Sequence, residues 1–392
     1  MTSDNSMTTA ELRSCMSLAA IFFFRMFGLF LILPVFVLYA ETLKSATPTL
    51  IGIALGAYGL TQAIFQIPFG MLSDRIGRKQ VITAGLIVFI CGSILAGEAH
   101  SIYTVILGRS LQGAGAIAAA IMALAADLTR PSQRSKAMAL IGISIGIAFA
   151  LAFITGPILN PFIGVPGLFF TSAVLAFIAI IILHSAVPTP DPTQEHEPTR
   201  SGFSMEFTDL RLIILFISIF LLHMLLMESF VVIPVTLRDV VRLDTAHLWH
   251  VYLPVLFLSA VLMLPFLYYG EKYKKVNLFL CGAVVVMFCA QAGFYFLHRS
   301  VLEISVLLTL FFLSFNYLEA TLPAQVSKLA PPEKKGAALG VFSTSQFIGI
   351  FTGGVTGGFV YDHFSINGVF LVGAIISIIW FIGLASLQKQ VS

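Results

Sequence analysis

Along the chain, long apolar runs alternate with short clusters of charged and turn-forming residues. The runs fall at about 14–40, 49–72, 80–97, 102–127, 136–160 and 165–187. After a polar gap they resume at about 209–236, 246–270, 275–296, 300–327, 334–361 and 366–387. Stretches such as 81–96 and 369–387 approach or match the roughly 20 residues that a helix needs to cross a bilayer core. None alternates apolar and polar residues over about 10 positions, as the strands of a transmembrane barrel do. The pattern predicts an all-α membrane protein with twelve transmembrane helices.

The one long polar stretch is VPTPDPTQEHEPTRSGFS (187–204), rich in Pro, Thr and acidic residues. It separates the sixth and seventh runs as an interdomain linker does. The expected organisation is a six-helix bundle over 1–187, a cytoplasmic linker over 188–208 and a second six-helix bundle over 209–392. The halves echo each other faintly. RSKAMALIG (134–142) resembles EKKGAALGV (333–341), and the basic loop GEKYKK (270–275) begins 197 residues after SDRIGRK. Two pseudo-symmetric halves suit a transporter that rocks one half against the other.

Composition agrees. Hydrophobic residues make up 58% of the 392, charged residues only 10%, and 36 residues are Phe; mean hydropathy is +0.96. So few charges cannot cover the apolar surface of a soluble domain. Lys and Arg set the orientation, because basic loops stay on the cytoplasmic side. With the N-terminus inside, sixteen basic residues fall inside and four outside (Lys44, Arg238, Arg242, Arg299), with Arg25 and Arg109 inside spans. Both termini are therefore expected in the cytoplasm. The polar N-terminus MTSDNSMTTAELRS lacks the basic region of a signal peptide, so the first run is expected to persist as a helix. A net charge of +3 gives no reason to expect nucleic-acid binding. Cys15, Cys91, Cys281 and Cys289 form no close pair, and read as apolar packing residues rather than metal ligands or disulfides.

One loop stands out. GMLSDRIGRKQ (70–80) carries four charges, Asp74, Arg75, Arg78 and Lys79, between two apolar runs. Topology alone would put basic residues there, but it accounts for neither Asp74 nor Gly70. A small residue at 70 lets a neighbouring helix approach closely. Asp74 suits a helix N-terminus, whose dipole favours an anion, and the eleventh span begins near Gly336. Arg78 can reach Asp127 at the end of the fourth span. Residues Gly70 to Lys79 closely resemble the signature loop between the second and third helices of the major facilitator superfamily. With twelve spans and a central linker, the resemblance covers essentially the whole chain. It implies that Gly70, Asp74, Arg75, Gly77, Arg78, Lys79 and Asp127 form a gate that latches the two halves in the outward-facing state.

Other signals lie inside the spans. Arg109 is seven residues into the fourth run, roughly 10 Å deep, where an unaccompanied charge costs several kcal/mol. Arg109, Gln112, Gly113 and Gly115 look like the RxxQGxG motif of proton-coupled members of the superfamily. That likeness implies proton coupling for Arg109 and close packing for the glycines. In the fifth run, Gly142 and Gly146 make a GxxxG surface for helix packing. Gly156-Pro157 resembles the end of the motif of drug–proton antiporters, although Ile158, Leu159 and Asn160 replace the glycines that usually follow. Gly353 and Gly357, with Gly349, Gly354 and Gly358, give the eleventh span a packing face.

Glu319 in SFNYLEATLP, near Asn316, is the sharpest proton-carrier candidate, since a carboxyl in a low-dielectric cavity can exchange protons near neutral pH; a permanently paired structural ion is the other reading. Glu228 and His223 (LLHMLLMESF) are five residues apart, on neighbouring faces. Glu228 is either a coupling group or a hydrated residue near the outer end, and His223 either titrates or packs. Arg25 lies about 11 residues into the first run, roughly 16 Å deep, and calls for a cavity or an acidic partner, Glu319 being one option. Gln62 and Gln66 share a helix face and, with Gln112 and Asn316, are candidates to line the pathway or to bond between helices.

Within the superfamily, GLTQAIFQIPFGMLSDRIGRK, LGRSLQGAGAIAAAIMAL and GVFSTSQFIG resemble the YajR-like branch. Some of its members continue into a small soluble domain after the last helix; none is expected within these 392 residues. The resemblance implies a monomeric, proton-driven antiporter of the bacterial inner membrane, exporting amphipathic or drug-like small molecules by alternating access. Its driving force would be the proton gradient, without cofactor or metal. A proton-coupled symporter or uniporter, or a non-transporting receptor on the same fold, are the alternatives. No HExxH or GxxxxGK[ST] pattern occurs, and GISIG (142–146), which spells GxSxG, lies inside an apolar run without the strand-to-helix turn of a nucleophile elbow, so neither an embedded hydrolase nor an ATPase is expected.

Overall fold

The computed structural model describes residues 6–189, 209–331 and 334–391, with side chains described through residue 386. Residues 190–208 of the expected linker lie outside it. The described chain is helical throughout, with no β-strand: α1 (Thr9–Phe30), α2 (Leu33–Ala40), α3 (Pro48–Ile76), α4 (Arg78–Gly97), α5 (Ile102–Ala114), α6 (Ala118–Asp127), α7 (Arg134–Ser185), α8 (Leu210–Val235), α9 (Trp249–Lys272), α10 (Val276–Phe296), α11 (Val301–Leu329) and α12 (Lys335–Val391).

Several boundaries have plain chemical causes. Thr8 and Glu11 form a capping box at α1, which starts five residues before the apolar run, and Ser300 and Glu303 form another at α11. Asp209 caps α8, and hydrogen bonds from Arg211 hold its carboxyl below the usual carboxylate range. Between α3 and α4 the chain turns at Gly77, whose φ of 102° strongly favours glycine.

Among the described residues, ten helical stretches are long and apolar enough to cross a membrane. Two of them are too long for one crossing. α7 has 52 residues and α12 has 57, so each would exceed about 75 Å at about 1.5 Å per residue, against a core of roughly 30 Å. Each is broken once, α7 at Gly164 (φ 64°) and α12 at Ser365 (φ 68°). Each therefore supplies two crossings, and the total is the twelve expected from the sequence. The breaks lie 201 residues apart, as do the first residues of α7 and α12. Among the described residues, α7 and α12 thus repeat one another in structure at a spacing of 201, close to the 199 of the faint sequence echo.

The chain packs as two compact units: Met1–Phe36 with Leu60–Arg200, and Val37–Gly59 with Ser201–Ser392. The segment 37–59, which precedes the expected boundary near 187 by far, groups with the second unit. In the first unit α1 lies along α7, and α4 packs on α5 and α7. In the second, α8 lies along α12, and α11 packs on α9 and α10. The two dominant pairings, α1 with α7 and α8 with α12, are counterparts in the repeat.

The α8–α12 seam is built on glycine. A Cβ placed on Gly349, Gly353 or Gly357 would lie 2.2 Å from Phe220 O, 2.1 Å from Met224 O and 2.9 Å from Glu228 Cα. In the same unit, one on Gly354 would lie 2.4 Å from Gly52 O. In the first unit Gly156, followed by the buried Pro157, abuts Leu31 O at the break between α1 and α2. Gly142 and Gly146 do not behave this way. A Cβ on either meets nothing within 4 Å, so the GxxxG spacing there makes no packed seam. The cysteines also divide: Cys15 and Cys281 are buried in packed helices, whereas Cys91 and Cys289 are exposed.

Candidate functional site

The charged loop folds around Arg78. Its guanidinium pairs with Asp74, donates from Nε to Asp127 Oδ2 at 3.1 Å and from Nη1 to Ser73 Oγ at 2.7 Å. Ser73 in turn donates to Gly70 O at 2.7 Å, and a Cβ on Gly70 would stand 3.2 Å from Ala119 Cβ of α6. Lys79 donates to Val187 O. Arg75 and Asp74 are exposed, the Asp74 side chain by 61%. The loop therefore ties the ends of α3, α4 and α6 together through Arg78, and Lys79 adds the chain just beyond α7, all within the first unit. A second tie at that end was not anticipated: Arg130 grips both oxygens of Glu11 at 3.0 Å and donates its backbone N–H to Oε1 at 2.9 Å.

Deeper in this unit, Arg25, Gln62, Arg109 and Gln112 are essentially inaccessible. Helix α5 stops at Gly115, which frees its carbonyl, and Arg25 Nη2 donates to it at 2.9 Å and to Gln62 Oε1 at 3.2 Å. The Arg25 guanidinium also lies 5.6 Å from the centre of the Phe89 ring. Arg109 donates to Gln112 Oε1 one turn along α5 at 2.8 Å; Gln112 donates to Ser93 Oγ at 2.8 Å, and Ser93 to Phe89 O. Arg25 thus sits over the Phe89 ring, and Arg109 is linked to the Phe89 carbonyl through Gln112 and Ser93. Gly113 is buried on α5, and Gly115 packs against Gly85 O of α4. Gln66 is 7% exposed, and its Oε1 has no hydrogen-bond partner among the described residues.

The second unit holds the carboxyls. His223 of α8, Glu319 of α11 and Gln346 of α12 converge. Gln346 Nε2 is 2.8 Å from His223 Nε2 and 3.4 Å from Glu319 Oε1, while His223 Nε2 is 3.7 Å from Glu319 Oε2. His223 Nδ1 faces Ile219 O at 3.2 Å. A carbonyl only accepts, so Nδ1 carries a proton and Nε2 accepts from the Gln346 amide. The imidazole is 6% exposed at its side chain, Glu319 40%. Asn316 donates to Ser259 Oγ of α9 at 3.2 Å, and Gln291 to Ser229 Oγ at 3.1 Å.

Glu228 differs from the hydrated alternative allowed by its sequence position. It is fully buried against Gly357, and neither carboxyl oxygen has a hydrogen-bond partner among the described residues. Gln346 was missed, although it lies in GVFSTSQFIG; the rule that singled out Gln62 and Gln66, an amide inside an apolar span, applies to it equally. Also unanticipated were Arg238, which donates to Glu41 Oε2 and Asp239 Oδ1 at 2.6 Å each, and Thr49, which donates to Asp362 Oδ2 at 2.7 Å. Among the described residues no cluster of three or more His, Cys, Asp or Glu is arranged to hold a metal ion.

The model of the Major Facilitator Superfamily matches residues 18–353 and, again, 249–388. The chain is 44% identical over 397 residues to "Inner membrane transport protein YajR" of Escherichia coli K12, covering 99% of this chain and 86% of that one. An uncharacterized transporter of Buchnera aphidicola (subsp. Baizongia pistaciae) is 33% identical, covering 95% and 96%. "Multidrug resistance protein MdtH" of Aeromonas salmonicida is 24% identical, covering 87% and 86%. Among solved structures, a bacterial homologue of the human lysosomal transporter Spinster matches with a TM-score of 0.82 at 12% identity over 98% of both chains. The nucleoside transporter NupG matches at 0.76 and 16% identity, over 97% of this chain and all of that one. At such identities these two likenesses are of fold.

Proposed function

The chain belongs to the major facilitator superfamily, a family of membrane transporters and not of enzymes, and from that premise we propose that it is a proton-driven exporter of amphipathic or drug-like small molecules. It works by alternating access, in a bacterial inner membrane with both termini cytoplasmic. The proton gradient is its energy source, and Glu319 carries the proton. The name of the MdtH relatives supports the substrate class. The excess of basic residues in its loop supports a cytoplasmic position for the Arg78 cluster; its ties to Asp74 and Asp127 shape the loop, and the loop acts as part of the gate of the outward-open state.

The observation that carries the reading is the Glu319–Gln346–His223 cluster. One amide group bridges a carboxyl and an imidazole. A proton arriving on His223 Nε2 turns an acceptor into a donor, which ends the bond from Gln346 and leaves the new N–H facing Glu319. The charge of the carboxyl and that of the ring are thereby linked through a single side chain of α12. Glu319 is exposed enough to receive protons or an amphipathic cation, whereas Glu228, Arg25 and Arg109 are not. Holding a bare carboxylate at Glu228 costs several kcal/mol, which suits a second group that gains and loses a proton in the cycle.

The test is proton flux in inside-out vesicles holding an acid interior, challenged with lipophilic cations and neutral drugs. A compound that discharges the gradient with wild type, but not with Glu319→Gln, supports antiport through Glu319. Equal discharge by the variant moves the proton site elsewhere. Proton movement together with the compound would make the protein a symporter.

A further inference from the structure

On the surface of the second unit, a cleft of about 340 Å³ opens between α9, α10 and α11. Phe266, Phe279, Gly282, Val286, Leu313 and Tyr317 form its walls. Phe266 is 43% exposed, so the cleft opens outward from the helices. Its one hydroxyl-bearing aliphatic side chain, Ser314, already donates to Leu310 O at 3.1 Å. A polar ligand would find almost nothing to bond. The volume is at the small end of the roughly 300–1,000 Å³ of drug-sized sites.

Apolar rims are common on bilayer-facing helices; what stands at one end of this cleft is not. Phe279 N–H donates to Lys275 O at 3.2 Å, and Lys275 N–H to Gly270 O at 3.0 Å. The wall therefore runs directly into the loop joining α9 to α10. Gly270 also borders the cleft's Tyr317, whose hydroxyl would be 3.2 Å from a Cβ built there. The loop presents three exposed lysines, Lys272, Lys274 and Lys275, against one acidic residue, Glu271. The Lys272 ammonium lies 5.2 Å from the centre of the Tyr268 ring and 5.9 Å from that of Tyr273. Aromatic rings and basic side chains together mark head-group depth, and basic pockets beside membrane helices attract anionic lipid head groups.

We propose that this cleft holds an acyl chain of an anionic glycerophospholipid, whose phosphate head group is bound by Lys272, Lys274 and Lys275. The apolar slot accounts for the chain and the excess of two positive charges for the head group. A neutral lipid would use only the first, and a soluble anion only the second. None of the residues lining the cleft belongs to the Glu319–Gln346–His223 cluster, and its occupancy does not depend on what is transported.

The test uses the full-length protein, purified in detergent and examined by native mass spectrometry. It is offered dioleoyl phosphatidylglycerol or dioleoyl phosphatidylcholine, which share acyl chains and differ in charge. Wild type should retain the anionic lipid at least about fivefold better. Neutralising Lys272, Lys274 and Lys275 to Gln should bring the two lipids level, whereas Lys328→Gln with Lys335→Gln, on other helix ends, should not. Gly282→Leu fills the cleft from within: a Cβ at 282 meets nothing within 4 Å, so the substitution starts without a backbone clash, and the variant, its folding checked by its melting temperature, should lose the anionic lipid with its lysines intact. Equal retention of both lipids by wild type overturns the proposal, as does a preference that survives both sets of cleft variants. A dimer that Gly282→Leu dissociates, with no lipid discrimination, would assign the cleft to a second copy and overturn it too.

Discussion

Replacing Gly353 by alanine adds one methyl group to a seam that has no room for it. Its Cβ would stand 2.1 Å from Met224 O and 2.8 Å from both Met224 C and Cα, all of them backbone of α8, whereas ordinary contact begins at 3.4 Å. No rotamer relieves that overlap, so α8 and α12 must part by about 1 Å. Gly349 and Gly357 press on the same helix one turn either side, and the separation would loosen their contacts as well. Overpacking of this kind costs about 1–3 kcal/mol, and contact with rigid backbone puts Gly353→Ala at the upper end. Alanine's better helix propensity returns about 1 kcal/mol, leaving a net loss of about 2 kcal/mol. At about 1.2 °C per kcal/mol for a chain of 392 residues, the melting temperature should fall by about 2–3 °C. Gly142→Ala is the matched control. Nothing lies within 4 Å of its Cβ, so only the propensity gain of about 1 kcal/mol remains. Intrinsic-fluorescence melting of the two purified variants in one detergent reads the difference directly. Equal melting temperatures would refute the reasoning.

Gly77→Ala should cost about 1–3 kcal/mol, because φ at that turn is 102°; an unchanged melting temperature would show that the turn takes another conformation. Arg78→Gln removes partly exposed pairs worth up to about 1 kcal/mol each, so stability should barely move while transport falls several-fold; normal transport would deny the loop a gating role. Arg25→Met leaves Gly115 O and Gln62 Oε1 without the donors they have now, at about 1–3 kcal/mol per group. Arg25→Lys should not restore stability, since one ammonium lacks the planar fork; full rescue would mean that charge alone matters. Gln346→Leu should change the pH profile of compound-driven proton release; a profile superimposable on wild type would remove Gln346 from the coupling path.

The fold was legible because a bilayer reduces it to apolar length and loop charge, and both survive in a single sequence. The break in α7 was legible as well, in the Gly and Pro residues of NPFIGVPG. Its counterpart in α12 falls on Ser365, in the polar interruption YDHFS between the runs read as 334–361 and 366–387, although the serine itself carries no signal for positive φ. Helix breaks at Leu31–Ile32 and Gly115 were hidden inside runs read as continuous. Glycine spacing proved ambiguous in a telling way. Gly353 and Gly357 face a neighbouring backbone and Gly142 and Gly146 face nothing, although both pairs read GxxxG; spacing defines a helix face and not what covers it. The pairing of Arg78 with Asp127 followed from short loops at one end of the bundle. Arg238 with Glu41 lies 197 residues apart in sequence, and no pattern in the chain announces such a contact. Glu319 and His223 were recognised singly, as ionisable groups in apolar spans, but the amide that joins them was visible only in three dimensions.

The most direct test is to count protons. Purified protein in weakly buffered detergent solution, with a pH-sensitive dye, is given a compound that discharges the gradient in vesicles. The account predicts that wild type releases a proton on binding the compound, and that Glu319→Gln binds it without release. Undiminished release from Glu319→Gln would contradict the account and leave the cluster at His223, Glu319 and Gln346 a structural one.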